Sequence, residues 1–256
     1  MTTVTGEGPA LETRGLRKSF GALTVAQNID FTLEPGARHA LIGPNGAGKT
    51  SFVELVTGAL PPNAGQIRLD GADVTHLPQA ARVKRGLVRT FQITALFLRL
   101  SILENVTLAI CERQGIAGGL FRPAGHHRAA IEEAHELLER LGLEDEALRP
   151  VNMLAYGRQR LVEIAVSLAL SPKVLLLDEP AAGVPSGESG TIIEVIERLP
   201  PDIALLIIEH DMDLVFRLAQ RITVLVQGSV LVEGPPEEIA RDPEVRRVYL
   251  GERVAR

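Results

Sequence analysis

The sequence predicts an α/β fold in which a mostly parallel sheet is flanked by helices. Three observations support this fold class. A glycine-rich segment at 43–50 follows a short apolar run. This order is typical of a strand that is joined to a helix by a tight loop. The runs 174–177 and 203–208 are apolar throughout, which is typical of strands covered on both faces of a parallel sheet. Segments with helical periodicity separate these runs, and this alternation favours a parallel α/β core.

Length and composition limit the possible function classes. The 256 residues suffice for one large domain or for a domain with an inserted lobe. No apolar run approaches the roughly 20 residues of a membrane span. A net charge of −5 without a long basic run argues against nucleic acid as a partner. Cys111 is the only cysteine, which excludes an internal disulfide and fits a reducing cytoplasm. Residues 1–10 lack the features of a secretory signal and are expected to form a flexible tail.

Two strand-like segments occupy Leu11 to about Leu33, before the glycine-rich loop. Ile29 and Phe31 alternate with polar neighbours, which is the period of a half-buried strand. Phe20 lies in the turn between the two segments. Two interpretations of this aromatic side chain remain open: it caps the hydrophobic core, or it stacks on a purine.

The segment after the first buried run has the features of a phosphate-binding loop. It consists of Gly43, Pro44, Asn45, Gly46, Ala47, Gly48, Lys49, Thr50 and Ser51. The glycines let successive backbone N–H groups converge on one anion, and a helix starting near Lys49 adds its own N–H groups and dipole. Lys49 can bridge the β- and γ-phosphates, and the Thr50 hydroxyl can bind Mg²⁺. A glycine-rich turn that matches by chance is the weaker alternative.

A helical lobe is predicted from about residue 93 to residue 156, because strand patterns cease beyond Gln92. Ser101 begins a helix as its N-cap, with Glu104 at the capping-box position. Gln92 itself lies where core and lobe meet, a position from which it can sense the γ-phosphate and the metal.

An amphipathic helix follows in the lobe over 126–141. Its histidines are His126, His127 and His135. They lack partner ligands at metal-binding spacing, so we interpret them as part of a solvated helix face.

Two carboxylates follow the buried strand at 174–177. Asp178 is suited to hold Mg²⁺, directly or through water, and Glu179 to polarise an attacking water as general base. His210 follows the next buried strand and can contact the γ-phosphate, with a purely structural hydrogen bond as the alternative. Helices are predicted over 157–170 and 186–199. A hairpin over 222–232 and two short helices after 235 complete the chain.

The segment Leu154-Ala155-Tyr156-Gly157-Arg158 resembles the signature motif of ATP-binding cassette (ABC) ATPases, whose usual form is Leu-Ser-Gly-Gly-Gln. The other motifs follow in the order of that family over nearly the whole chain. The resemblance implies a P-loop NTPase core with an antiparallel β subdomain and an inserted helical subdomain, together forming an ABC nucleotide-binding domain over 11–256. It implies ATP and Mg²⁺ as cofactors.

The resemblance also implies a role for each motif residue. Catalytic roles fall to Lys49, Gln92, Glu179 and His210, and metal binding to Thr50, Gln92 and Asp178. Phe20 stacks on adenine, the loop from Gly43 to Ser51 holds the phosphates, and Ala155, Tyr156, Gly157 and Arg158 approach the γ-phosphate held by a facing subunit.

Within the family, the chain resembles the ATPases of branched-chain amino acid importers. The stretches that carry this likeness are 89–92, 154–157, 179–183 and 209–212, with the loop 115–125 and the terminal 248–251. The likeness implies a peripheral protein on the cytoplasmic face of the cell membrane. Its partners would be permease subunits docking near 94–106, an identical or paralogous second ATPase subunit and, indirectly, a periplasmic or extracellular binding protein.

Alternative functions stay open at this point. Urea or amide import is a related possibility, and lipopolysaccharide export ATPases share the terminal pattern but differ around Gln92 and in the signature. A soluble ABC ATPase acting on DNA or ribosomes is disfavoured by the single cassette and the lack of a long heptad run. A regulatory module that binds nucleotide without hydrolysis is disfavoured by Glu179.

Three details of the sequence bear on coupling. Ala155 lacks the serine hydroxyl of the usual signature, and Pro185 replaces the family's aspartate or asparagine in the segment after Glu179, called the D-loop. Proline offers no side-chain hydrogen bond, so communication between two ATP sites is expected to be weak. The apolar residues Leu96, Phe97 and Leu98 either receive a membrane partner or form the core of the lobe.

Overall fold

The computed structural model describes residues 8–90, 96–116 and 127–250. These divide into two compact units. Unit 1 comprises the described residues of 1–87, 173–179 and 200–256, and unit 2 those of 88–172 and 180–199. In the part of the chain that the structure describes, no helix is both long and apolar enough to cross a membrane.

Unit 1 contains two sheets. In chain order its strands are β1 (Leu11–Phe20), β2 (Leu23–Leu33), β3 (Arg38–Ile42), β4 (Ala64–Leu69), β5 (Ala72–Asp73), then β6 (Leu87–Arg89), where the chain passes into unit 2, and β7 (Val174–Asp178), β8 (Ala204–Ile208), β9 (Arg221–Val226) and β10 (Ser229–Gly234). Strands β2, β1, β4 and β5 form an antiparallel sheet in that order. The part of the other sheet that lies wholly within unit 1 has the order β10-β9-β3-β8-β7, in which β3, β7, β8 and β9 run parallel. The predicted fold class is confirmed.

Helices cover these sheets within unit 1. They are α1 (Lys49–Thr57), α2 (Gln79–Val83), α7 (Met212–Leu218), α8 (Pro236–Arg241) and α9 (Pro243–Leu250). Helix α1 supplies Phe52 to a hydrophobic core of unit 1, where its ring meets Phe31 of β2 edge-on at a centroid distance of 5.4 Å. Because α1 is buried against both sheets, the loop that precedes it has a rigid support.

Unit 2 is helical. Its helices are α3 (Ile102–Arg113), α4 (Arg128–Arg140), α5 (Tyr156–Ala169) and α6 (Ser186–Glu197), with 3-10 turns at Glu144–Glu146 and Val151–Met153. Ser101 and Glu104 form the predicted capping box at the start of α3. Arg113 ties three helices together, since it donates to both carboxylate oxygens of Glu133 at 2.7 Å and to the Ala169 carbonyl at 3.0 Å. The predicted lobe boundaries, 93–156, fall inside this unit, which also includes α5 and α6.

Two of the three lobe histidines lie among the described residues, and neither is buried. His135 is exposed on α4, and His127 precedes the helix as a half-buried residue; His126 lies outside the described residues. Over 8–90, 96–116 and 127–250, no cluster of three His, Cys, Asp or Glu side chains is arranged to hold a metal ion.

Candidate functional site

The predicted phosphate-binding loop joins β3 to α1. Gly48 is the N-cap of α1, with φ 102° and ψ 5°. A Cβ at this position would lie 2.5 Å from the Val25 carbonyl oxygen, so both the backbone conformation and the close approach require glycine. The first N–H groups of α1 have no partner within the helix, as expected of a helix start that is suited to bind an anion.

The turn between β9 and β10 holds this loop from one side. The Gly228 N–H donates to the Ala47 carbonyl at 2.8 Å, and the Gln27 N–H of β2 donates to the Gly228 carbonyl at 2.7 Å. Within the loop, the Ala47 N–H donates to the Pro44 carbonyl at 3.1 Å. The hairpin was predicted from the sequence, but its role as a clamp on the loop was not, because the contact joins residues far apart in the chain.

Lys49 turns back over the loop. Its Nζ donates to the Gly43 carbonyl at 2.5 Å and to the Pro44 carbonyl at 3.1 Å. Burial lowers the pKa of the ammonium, and the carboxylates of Glu179 and Asp178 counteract this shift. The Lys49 charge therefore lies close to both carboxylates, at the position expected of a phosphate-binding lysine. Thr50 is exposed beside it.

The carboxyl ends of three neighbouring strands bring the predicted catalytic residues together. Ile208 of β8 lies opposite Leu41 of β3 on one side and opposite Asp178 of β7 on the other. The loop that follows β3 therefore lies at the same edge of the sheet as Asp178 and Glu179, where ligands of open α/β sheets bind.

Glu179 has an unusual backbone conformation. Its φ is 46°, in the left-handed region, and its N–H donates to the Ile208 carbonyl at 2.9 Å. A non-glycine residue in this region costs free energy and is often found at functional sites. The conformation directs Glu179 to His210, whose Nδ1 lies 3.4 Å from Glu179 Oε1.

Glu209 supports His210 from beneath. Its side chain is 3% exposed, and Oε2 accepts the backbone N–H groups of His210 at 2.9 Å and of Asp211 at 3.3 Å. Burial raises the pKa of this carboxyl, and the two hydrogen bonds oppose the rise. Asp211 in turn caps α7 by accepting from the N–H groups of Asp213 and Leu214. In the sequence, Glu209 belongs only to a family-like stretch, and its supporting role has no local signal because it depends on burial in the fold.

Phe20 ends β1 with 52% of its surface exposed, so it does not cap the core. The Lys18 Nζ lies 5.2 Å from the ring centroid. Leu23, at the start of β2, is also exposed. An exposed ring is available for stacking on a base, and that role remains a prediction.

The signature segment begins α5 in unit 2. Ala155 is the N-cap without a side-chain hydrogen bond, and the Gly157 N–H donates to Glu188 Oε2 at 3.1 Å. Tyr156 is half exposed, with the Arg160 guanidinium 5.5 Å from its ring centroid. Arg158 is already paired inside the unit, since it donates to Glu146 Oε2 at 2.5 Å and to the Gly142 carbonyl at 2.7 Å. The predicted approach of Arg158 to a phosphate would require these bonds to break.

Gln92, predicted for catalysis and metal binding, lies outside the described residues, as do Thr94 and most of the 115–125 loop. The described part of the predicted docking segment separates into buried and exposed residues. Leu96 is 7% exposed and belongs to the interior, whereas Phe97 and Leu98 are 60% and 39% exposed. Asn105 of α3 fixes this turn by accepting the Phe97 N–H at 2.9 Å and donating to the Phe97 carbonyl at 3.1 Å.

Comparisons with known proteins agree with these motifs. A family model described as "ABC transporter" matches residues 26–182, and one described as "Branched-chain amino acid ATP-binding cassette transporter" matches residues 229–255. The high-affinity branched-chain amino acid transport ATP-binding protein LivG of Escherichia coli K12 is 40% identical over 251 residues, covering 95% of this chain and 98% of its own length. BraF of Pseudomonas aeruginosa, with the same description, is 38% identical over the same shares.

Solved structures show the same fold. A nucleotide-free ATP-binding cassette from an ABC transporter superposes with a TM-score of 0.82 at 28% identity, covering 94% of this chain and 98% of that one. The ADP conformation of another such cassette gives a TM-score of 0.83 at 29% identity, covering 95% and 99%.

Proposed function

Because this chain belongs to the ABC transporter family of ATP-binding proteins, we propose that it hydrolyses ATP to energise the import of branched-chain or related amino acids through partner membrane subunits. The observation that carries the ATPase assignment is the convergence of the phosphate loop, Asp178, Glu179 and His210 at one edge of the parallel sheet. The substrate class rests on the names of LivG and BraF and on the second family match at 229–255.

ATP is held mainly through its phosphates. The N–H groups of the loop and of the α1 N-terminus surround the anion, and Lys49 exchanges its bonds to the Gly43 and Pro44 carbonyls for the β- and γ-phosphate oxygens. Phe20 offers an exposed face on which adenine stacks.

Mg²⁺ fits the donors at this edge of the sheet. The Thr50 hydroxyl and the Asp178 carboxylate are hard oxygen ligands, which this ion prefers, and Gln92 adds an amide oxygen in the proposal. When bound, the ion neutralises charge on the β- and γ-phosphates and so favours breaking of the bond between them.

Hydrolysis requires a base beside the γ-phosphate. Glu179 takes a proton from water as the water oxygen attacks the γ-phosphorus, and ADP leaves with the electron pair of the broken bond. His210 orients the Glu179 carboxylate through the 3.4 Å contact, and the buried Glu209 carboxylate holds the His210 backbone. The left-handed conformation of Glu179 keeps its carboxylate directed to the end of β8.

A second ABC subunit completes the site in this proposal. The start of α5, with the Gly157 N–H, is a helix N-terminus that binds the γ-phosphate held by the facing subunit. The partner is either a second copy or a paralogue.

An apolar surface of unit 2 is the proposed docking site for the permease. We define the lobe patch as the exposed side chains Phe97, Leu98, Leu148 and Met153. Backbone bonds join its two segments, because the Asn152 N–H donates to the Leu98 carbonyl at 3.0 Å and the Val151 N–H to the Leu100 carbonyl at 3.1 Å. Large exposed apolar side chains on adjoining segments are typical of protein interaction sites. Docking there would hold the protein peripherally on the cytoplasmic face of the membrane.

Reconstitution tests this function. The chain is co-expressed with candidate membrane subunits of a branched-chain amino acid importer, purified as a complex and placed in vesicles with the binding protein of that importer. We expect leucine, isoleucine or valine to stimulate ATP hydrolysis, and the Glu179→Gln complex to show no stimulation. Stimulation by urea alone would replace the proposed substrate class, and failure to form a membrane complex would contradict the transport role.

A further inference from the structure

The N-terminus of α5 already has an anionic partner from its own chain. The Gly157 N–H, at the second position of α5, donates to Oε2 of Glu188 at 3.1 Å. Glu188 lies in the first turn of α6, 31 positions further along the chain than Gly157. A Cβ on Gly157 would collide with that same oxygen, so the carboxylate lies directly against the helix start.

The contact between the Glu188 carboxylate and the start of α5 is electrostatically favourable for both partners. A helix N-terminus carries a partial positive charge and stabilises a nearby carboxylate. Glu188 lies at the N-terminus of α6 and reaches the N-terminus of α5, so one negative charge serves two helix starts. Hydrogen bonds from a backbone N–H to a carboxylate are stronger than those to a neutral acceptor.

Glu188 is also tied to the segment that follows Glu179. Its own N–H donates to the Pro185 carbonyl at 2.8 Å. Nearby in unit 2, the Tyr156 ring lies over Gly183, where an added Cβ would come within 3.4 Å of the Tyr156 hydroxyl oxygen. Within unit 2, the signature segment thus contacts the D-loop segment at Gly183 and the first turn of α6 at Glu188.

We propose that the Glu188 carboxylate is an internal substitute for the γ-phosphate and that incoming ATP must displace it. This inference rests on the proposed function, in which the Gly157 N–H receives the γ-phosphate of a facing subunit. Two anions cannot share that N–H without strong repulsion, so closure of the ATP-bound dimer requires Glu188 to move away. Glu188 therefore raises the ATP concentration at which two subunits join.

The test compares nucleotide-driven dimerisation in the Glu179→Gln background, which slows hydrolysis and retains ATP. Glu188→Gln is added to this background, because glutamine keeps the size and a hydrogen-bond acceptor but removes the charge. The matched control is Glu194→Gln, an equal loss of charge at an exposed position of the same helix. Sedimentation velocity over an ATP titration gives the concentration at which half of the protein is dimeric.

We expect Glu188→Gln to dimerise at an ATP concentration roughly fivefold or more below that of the background protein, the usual size of coupling between sites. Glu194→Gln should match the background. An equal or higher ATP requirement for Glu188→Gln would overturn the inference while leaving the proposed function intact. If no protein dimerises with ATP, the inference fails for a dimer of identical subunits, and the facing subunit of the proposed function would have to be a paralogue. Should Glu188→Gln not fold, Glu188→Asp replaces it, since the shorter side chain withdraws the carboxylate from Gly157 and should shift the titration in the same direction.

Discussion

His210 Nδ1 lies 3.4 Å from Oε1 of Glu179, although the two residues follow different strands of the parallel sheet. The same nitrogen is 3.7 Å from the buried Oε2 of Glu209. The His210 ring can therefore hold the exposed Glu179 carboxylate in place, while the buried Glu209 carboxylate fixes the His210 backbone. Glu179 is 46% exposed and therefore open to water, as a general base must be. This arrangement makes Glu179 the residue whose replacement should separate hydrolysis from binding.

We expect Glu179→Gln to bind ATP as the unmodified protein does and to hydrolyse it roughly 10²–10⁴-fold more slowly, because the amide cannot accept the proton of the attacking water. This range corresponds to about 3–5 kcal/mol of activation free energy. Phosphate release under saturating ATP measures the rate, and equilibrium binding of a fluorescent ATP analogue measures affinity.

Lys49→Ala is the contrasting variant. It removes a cation from the phosphate loop, so nucleotide affinity itself should fall. If Glu179→Gln hydrolysed ATP at the unmodified rate, Glu179 would not be the base. Loss of nucleotide binding in Glu179→Gln would instead indicate that the carboxylate is needed to bind nucleotide.

The lobe patch gives a prediction with an internal control. Phe97→Asp places a charge on an exposed side chain, so the protein should fold and keep its basal ATPase activity but lose substrate-stimulated activity in the reconstituted complex. Leu96→Asp places the same charge at a buried neighbour and should instead lower the free energy of unfolding by several kcal/mol. Urea denaturation and vesicle ATPase assays distinguish the two. A Phe97→Asp complex with normal stimulation would show that the permease docks elsewhere.

The sequence predicted those features that are encoded by local patterns. The phosphate loop follows from adjacent residues in a strand-loop-helix segment, and the Ser101 capping box from residues three positions apart. The ends of β7 and β8 were predicted because both strands are continuously apolar. Their adjacency follows from the general behaviour of parallel sheets.

Contacts between distant residues carried no such local signal. Arg82 lies in a basic stretch over 80–88, and nothing in this local pattern indicates burial. It is instead 1% exposed and donates to the Leu55 carbonyl at 2.8 Å, at the end of α1. The Gly157–Glu188 bond likewise joins two helix starts that only folding brings together. Leu96 and Phe97 show the same limit, because adjacent residues of similar hydrophobicity differ in burial.

Glu163 predicts a pH dependence of stability. It lies on α5 with 2% of its side chain exposed; Oε2 accepts from Arg160 at 2.8 Å, and Oε1 has no partner among the described residues. Burial raises the pKa of this carboxyl to about 7, with the Arg160 charge opposing the shift. The folded state therefore binds more protons at Glu163 than the unfolded state between about pH 4.5 and 7. The contribution of Glu163 to stability falls as pH rises through that window and is constant above it.

We expect Glu163→Gln to lack this slope. The difference in unfolding free energy, variant minus unmodified protein, should increase by roughly 3 kcal/mol between pH 4.5 and pH 7.5, because each pKa unit corresponds to 1.36 kcal/mol. Urea denaturation at several pH values measures the difference. For Glu194→Gln, at an exposed position of α6, the curve of unfolding free energy against pH should run parallel to that of the unmodified protein. Parallel curves for Glu163→Gln would mean that folding does not change the pKa of Glu163.

Pro185 lies at the N-cap of α6 with φ −55° and ψ 143°, and it offers no side-chain cap. The family's asparagine or aspartate at this position would have two uses: capping α6, worth about 1 kcal/mol, or reaching across a dimer toward the facing phosphate loop. Since proline provides neither, we expect the isolated subunit to hydrolyse ATP with a Hill coefficient of about one. Coupling between sites is small enough in free energy to be lost with a single contact.

Pro185→Asn should raise the Hill coefficient or the maximal rate if its side chain reaches across. If the side chain instead caps α6, only the free energy of unfolding should rise. The rise should be smaller than the full stabilisation by a cap, because replacing proline also makes the unfolded chain more flexible. Pro185→Ala supplies neither contact and should keep weak cooperativity while losing stability. ATP titrations and urea denaturation of both variants separate these effects. A Hill coefficient near two in the unmodified protein would contradict this interpretation, because communication would then pass through Ser186 or the backbone.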